Sequence, residues 1–134
     1  MGVQVDTRKI IAEGDVDSLV STADALGKDL ARPLTTSQIR SIFGEVRQIE
    51  MHWHTGADKL TADTAFRRVV LLQPKLAYQA KRERGAGVQI LRDALDPCID
   101  EIRKAPSEKR RDYFQRFVDF FEAILAYHKY HGGS

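Results

Sequence analysis

The sequence predicts an all-α protein, a compact bundle of about five to six helices. Three observations predict it. Apolar residues recur at steps of three and four along most of the chain, nothing alternates at period two for long, and recognisable helix starts and stops separate the periodic runs.

The first run, residues 16–26, puts Leu19, Val20, Ala23 and Leu26 on one side. Arg32-Pro33 ends that unit, because a residue before proline avoids the helical region. Thr35 and Gln38 then stand at capping-box spacing. Behind them Ile39, Ile42, Phe43, Val46, Ile49 and Trp53 mark one helical face. Gly44 interrupts this face at a cost of about 1 kcal/mol relative to alanine, which suggests a close backbone approach there. Gly56 marks the exit.

A third helix is expected from about Asp63, with Phe66, Val69, Val70 and Gln73 inward. Pro74 breaks or kinks it, and Leu76, Ala77 and Ala80 continue the apolar side. Arg84-Gly85-Ala86-Gly87 is a flexible break. Val88, Leu91, Leu95 and Ile102 define the next helix, which Pro97 should bend. Ser107 is placed to cap the last helix, with Glu108 in the first turn where a negative charge suits the dipole. Phe114, Phe117, Val118, Phe121, Ile124, Leu125 and His128 give that helix its main stripe. Phe120, Tyr127 and Tyr130 widen its apolar surface beyond half the circumference, as in a helix central to a bundle or buried also by a partner.

The 134 residues fit one helical domain, 1–134. At 43% hydrophobic and 30% charged, the chain can support both a packed core and a solvated surface. Its net charge of +2 does not by itself indicate nucleic-acid binding, but the distribution is uneven. Residues 1–34 carry 4 basic and 6 acidic groups, net −2; residues 35–92 carry 10 and 5, net +5; residues 93–134 carry 7 and 8, net −1. A basic patch on a near-neutral domain would look like this.

The single cysteine, Cys98, excludes an internal disulfide, fits a reducing cytoplasm and reads as a small core residue. No apolar stretch reaches the roughly 18 residues a membrane span needs. No Walker loop, nucleophile elbow or glycine fingerprint is present. Asp58 and Asp63 lack the third ligand of a nuclease site. His52 and His54 do not share a helix face; His128 and His131 could, but neither pair has a Cys or carboxylate partner at ligand spacing. The histidines are therefore expected at the surface or partly buried, with no metal, no cofactor and no catalytic residue.

The basic residues pair by sevens. Arg40 and Arg47 share a helix face, as do Lys75 and Arg82; Arg67, Arg68, Lys81 and Arg84 extend the positive region. From the residues alone these fit either an ordinary solvated face, whose ion pairs are worth about 0–1 kcal/mol each, or two stripes bounding a groove for phosphates. Arginine suits phosphate because its planar fork makes two charge-assisted hydrogen bonds. Tyr78, beside Ala77 and Ala80, is expected to pack on a neighbouring helix; stacking on a base is the alternative. Phe120 and Tyr127 share a face away from the main stripe and are candidates for a self-association or partner surface.

Three segments together carry a family resemblance: Leu34-Thr35-Thr36-Ser37-Gln38-Ile39-Arg40, Pro74-Lys75-Leu76-Ala77-Tyr78-Gln79-Ala80-Lys81-Arg82, and Phe117-Val118-Asp119-Phe120-Phe121-Glu122-Ala123-Ile124-Leu125-Ala126-Tyr127-His128-Lys129. In this order and spacing the chain resembles the small subunit of type III-A (Csm-type) CRISPR–Cas RNA-guided effector complexes. The likeness spans about residues 34–130, leaving 1–33 weakly matched and 131–134 as an expected frayed tail. Lys81 stands where the family carries a small residue.

The resemblance implies a non-catalytic, cytoplasmic helical subunit of an antiviral ribonucleoprotein. It implies as partners the guide RNA and target RNA, other effector-complex subunits and further copies of itself, with no membrane. It implies contact with the RNA backbone, without sequence specificity, for which the basic stripes offer Arg40, Arg47, Arg67, Arg68, Lys75, Lys81, Arg82 and Arg84 as the candidates. A purely structural protein–protein adaptor without RNA contact is the competing expectation.

Overall fold

The structure, a computed structural model, describes residues 2–83 and 85–134. It is 78% helical with six helices, and no strand occurs among the described residues. A single wide helical turn, Arg8–Ala12, precedes α1 (Val16–Leu30), α2 (Thr36–His52), α3 (Lys59–Val70), α4 (Leu72–Arg82), α5 (Gly87–Lys104) and α6 (Arg110–Tyr130).

Local chemistry sets most of the boundaries. Asp15 caps α1, accepting from the Asp17 and Ser18 amides at 3.1 and 3.3 Å. The amide bond from Ser18 holds its carboxyl below the usual value. The capping box of α2 is complete: Thr35 Oγ1 accepts from the Gln38 amide at 3.1 Å, and Gln38 Oε1 accepts from the Thr35 amide at 2.9 Å. α3 starts four residues before the expected Asp63, because Asp58 caps it, accepting from the Thr61 amide at 2.8 Å. Hydrogen bonding from the Thr61 hydroxyl and amide lowers the Asp58 carboxyl. Asp63 instead pairs with Lys59 at 3.1 Å.

The three prolines after Pro33 act differently from one another. The break between α3 and α4 is a single residue, Leu71, and Pro74 lies in the first turn of α4, where its missing N–H costs nothing. Pro97 does not end α5, which runs on to Lys104. Pro106 precedes a short 3-10 turn, Ser107–Lys109, so Ser107 does not cap α6, which begins at Arg110.

α6 is the central element, packed against α1, α2, α5 and the N-terminal turn. An aromatic series runs along its α2 side: Trp53 to Phe114 at 5.4 Å between ring centroids, Phe114 to Phe117 at 6.2 Å, Phe117 to Phe121 at 6.3 Å and Phe121 to Phe43 at 5.0 Å. Phe120 is fully buried, so it offers no partner surface. Neighbouring helices cover several sides of α6 and use up most of its wide apolar girdle inside the fold, while Tyr130 at its end stays exposed. Cys98 is buried, as expected of a core residue, and burial pushes its thiol up.

Both chain ends join this core. Ile10 and Ile11 are fully buried, and Arg116 Nη1 donates to the Ile11 and Ala12 carbonyls at 3.0 and 2.9 Å. Residues 131–134 are not a frayed tail. The Gly133 amide donates to the His128 carbonyl at 2.8 Å, and the Thr36 amide donates to the Ser134 carbonyl at 2.7 Å. His128, on the main stripe of α6 and expected at most partly buried, is fully buried, and its Nε2–H donates to the Leu34 carbonyl at 2.6 Å. Gly133 lies so close to that imidazole that no side chain would fit.

Gly44 is not a point of close approach, since a Cβ there would meet nothing within 4 Å. Gly44→Ala should therefore stabilise the protein by about 0.5–1 kcal/mol through helix propensity alone. A urea titration of the two proteins checks the sign.

Candidate nucleic-acid interface

α2 and α4 stand apart at the surface and leave a groove between them. Ile42, Leu72 and Leu76, all nearly buried, supply its apolar part. Ser41 and Glu45 contribute from α2; Pro74, Lys75, Tyr78, Gln79 and Arg82 contribute from α4. The cavity holds roughly 520 Å³ and continues past Ser41, Gln79 and Arg82 into a second of roughly 230 Å³ beside Thr35, Gln38 and Glu83. A hydrogen bond of 3.3 Å from Gln38 Nε2 to Glu83 Oε2 ties the two helices at that end.

The α4 wall follows from helix periodicity. Leu72 and Leu76 turn inward, and Lys75, Tyr78, Gln79 and Arg82, at steps of three and four, form the neighbouring strip. Arg68 joins from α3, with Nη2 3.4 Å from Gln48 Oε1 and 3.9 Å from Glu45 Oε2. Lys75 Nζ reaches the same Glu45 oxygen at 3.2 Å. One carboxylate thus sits between two cations from different helices. Arg82 Nη2 donates to Gln79 at 2.8 Å and lies 3.4 Å from Glu83, and its guanidinium carbon is 5.6 Å from the Tyr78 ring centroid.

Tyr78 does not pack on a neighbouring helix; it is 64% exposed and lines the groove. Ala80, one of the small neighbours that suggested packing, packs against the core instead.

The seven of these basic residues that the structure describes do not form one patch. Arg68, Lys75 and Arg82 converge on the groove edge. Arg40 and Arg47 lie on the opposite flank of α2, toward α6, where Arg47 Nη1 meets Glu50 at 2.7 Å and Glu122 at 3.9 Å. The two seven-spaced pairs therefore do not bound a common groove. Arg40, Arg67 and Lys81 are exposed and have no carboxylate partner within 4 Å among the described residues. Arg84 lies outside the described residues.

Glu45 is the groove residue that reading for positive charge misses. Its signal was present: Ser41, Glu45 and Gln48 recur at helical spacing on the side of α2 away from Arg40 and Arg47. Tyr127 is half-buried and faces Tyr130 and His131, at 6.3 Å between ring centroids in each case. Tyr130 is 78% exposed, so the aromatic surface at this end of α6 centres on Tyr130. His131 Nε2 meets Asp24 at 2.6 Å on α1, and His52 and His54 meet only main-chain carbonyls nearby. Among the described residues no three His, Cys, Asp or Glu side chains converge to hold a metal, and no helix is long and apolar enough to cross a membrane.

The family model described as Csm2 Type III-A matches residues 13–134. The chain belongs to the Csm2 family. It is 32% identical over 102 residues to the "CRISPR system Cms protein Csm2" of Streptococcus thermophilus, a match covering 75% of each chain. No solved structure matches it. As a Csm2-family protein it is a small subunit of a type III-A CRISPR complex and a member of a multi-subunit assembly. The Csm2 match begins at residue 13, so it takes in α1 and the docked tail as well as the three segments that carry the resemblance.

Proposed function

We propose that this Csm2-family subunit holds the RNA backbone in its complex through Arg68, Lys75 and Arg82 at the α2–α4 groove edge. It does so without reading sequence and without catalysing a reaction. The observation that carries this reading is the convergence of three cations from α3 and α4 on one edge. Phosphate contacts position an RNA and carry no base information, and sequence choice in an RNA-guided assembly comes from base pairing. Arg67 and Lys81, exposed on the same two helices, add to the positive field around the edge. The exposed apolar side chains Met51, Leu60 and Tyr130, at 72%, 76% and 78%, together with Tyr127, suit contacts that bridge neighbouring subunits or further copies of the chain. They also favour the second reading, an adaptor that meets only proteins.

A salt series separates the two. If each groove cation holds one phosphate, Arg68→Ala, Lys75→Ala and Arg82→Ala should each lower the slope of log affinity against log salt by about one unit. Arg47→Ala, on the α6 flank and already paired, should leave the slope unchanged. Glu45→Gln should do the reverse of the cation variants, raising RNA affinity, because it frees Arg68 and Lys75 from a competing carboxylate. Filter binding of RNA to the purified chain and to the assembled complex gives these slopes. Slopes that stay the same in all three cation variants leave the adaptor reading standing.

A further inference from the structure

We propose that the α2–α4 groove also seats an unstacked nucleobase of single-stranded RNA, held against Tyr78, so that the subunit grips bases as well as phosphates. This rests on the RNA reading of the same edge. Phosphate binding alone needs only cations, and the groove contains more than that. It has an apolar part made by Ile42, Leu72 and Leu76, next to an aromatic ring that is 64% exposed. At roughly 520 Å³ it falls in the usual range of about 300–1,000 Å³ for small-ligand sites.

The chemistry matches one occupant. A base offers two π faces and an edge of donors and acceptors, and it is tethered to an anion. Tyr78 presents a face for stacking, and the Arg82 guanidinium 5.6 Å from that ring supplies a second planar cation. Gln79, Ser41 and Glu45 line the same space and can meet the base edge with both donors and acceptors. Lys75 and Arg82 sit one turn to either side of Tyr78 on α4, where the flanking phosphates of a seated base would fall. An apolar segment of a protein would fill the cavity without using the cations Lys75 and Arg82 on its wall, whose partners within the fold are Glu45 and Glu83. Stacking tolerates any base, so the site adds grip without sequence choice.

The experiment compares oligouridine with a base-free ribose–phosphate oligomer of equal length, each titrated with the isolated chain over a salt series. Wild type should bind the base-bearing strand about tenfold more tightly, and the ratio should persist as salt rises, because stacking releases no counterions. Tyr78→Ala should remove the ratio with the salt slope unchanged, and Tyr78→Phe should keep it. Circular dichroism of the variants controls for folding, which substitution at an exposed ring should not disturb. Equal affinity of wild type for both strands overturns the proposal, as does equal weakening of both by Tyr78→Ala, or no binding of either strand at low salt. Retained discrimination in Tyr78→Ala with loss of complex assembly assigns the groove to a protein partner and overturns it too. Failure of the phosphate reading would show separately, as unchanged salt slopes in the Arg68, Lys75 and Arg82 variants.

Discussion

Phe121→Ala should cost about 3–5 kcal/mol of stability, a large share of the roughly 5–15 kcal/mol that holds a domain together. Phe121 is fully buried on α6 and lies between Phe43 of α2, at 5.0 Å, and Phe117, at 6.3 Å. Truncation removes the transfer energy of the ring and two aromatic pairs. It also leaves a cavity that these two rigid neighbours cannot close, since both helices are pinned elsewhere by Trp53 stacked on Phe114 at 5.4 Å. Guanidinium denaturation should show the midpoint falling with the slope of the transition unchanged. A loss below about 1 kcal/mol would mean that α2 and α6 do not pack as described.

Gly27→Ala should destabilise by about 2–3 kcal/mol, opposite in sign to Gly44→Ala. Both glycines lie inside helices, and propensity alone favours alanine at both by about 1 kcal/mol. At Gly27, however, an added Cβ would stand 2.5 Å from the Tyr127 Cβ and 2.7 Å from the His128 amide nitrogen. α1 and α6 touch there backbone to backbone, and neither has a flexible side chain that could give way. Overpacking of this kind usually costs about 1–3 kcal/mol, and opening the contact would also disturb His128 and the tail it holds. Thermal melts of the two alanine variants side by side provide the check: the Gly27 variant should melt lower than wild type and the Gly44 variant higher.

The contrast between these glycines shows what the sequence could and could not reveal. Periodicity and caps depend on residues within one turn of each other, so the fold class, the α2 capping box and the core stripes of α2 and α6 were all legible. A glycine's role depends on what lies across from it. The sequence therefore pointed to Gly44, in the strongest run, and passed over Gly27, where the close approach occurs. The same holds for α6. Its pattern announced a helix buried on more than one side, but only the packing shows that Phe120 is covered by the fold while Tyr130 is left exposed. At the candidate interface, seven-residue spacing put Lys75 and Arg82 on one face of a helix and Arg40 and Arg47 on one face of another. Whether the two faces meet depends on how α2 is rotated about its axis. Phe43 on Phe121 fixes that rotation and turns Arg40 and Arg47 away from the groove.

The central claim is that RNA, and not only protein, lies against the α2–α4 edge in the assembled complex. The most direct measurement places a photo-cross-linking amino acid at Gln79, in the middle of the α4 wall. It is carried out on the reconstituted effector complex with labelled guide and target RNA. The account predicts an RNA adduct from position 79, weakened when Lys75 and Arg82 are both changed to alanine, and little RNA adduct from the same probe at Arg47. Adducts from position 79 to protein subunits alone would contradict it and leave the subunit as an adaptor.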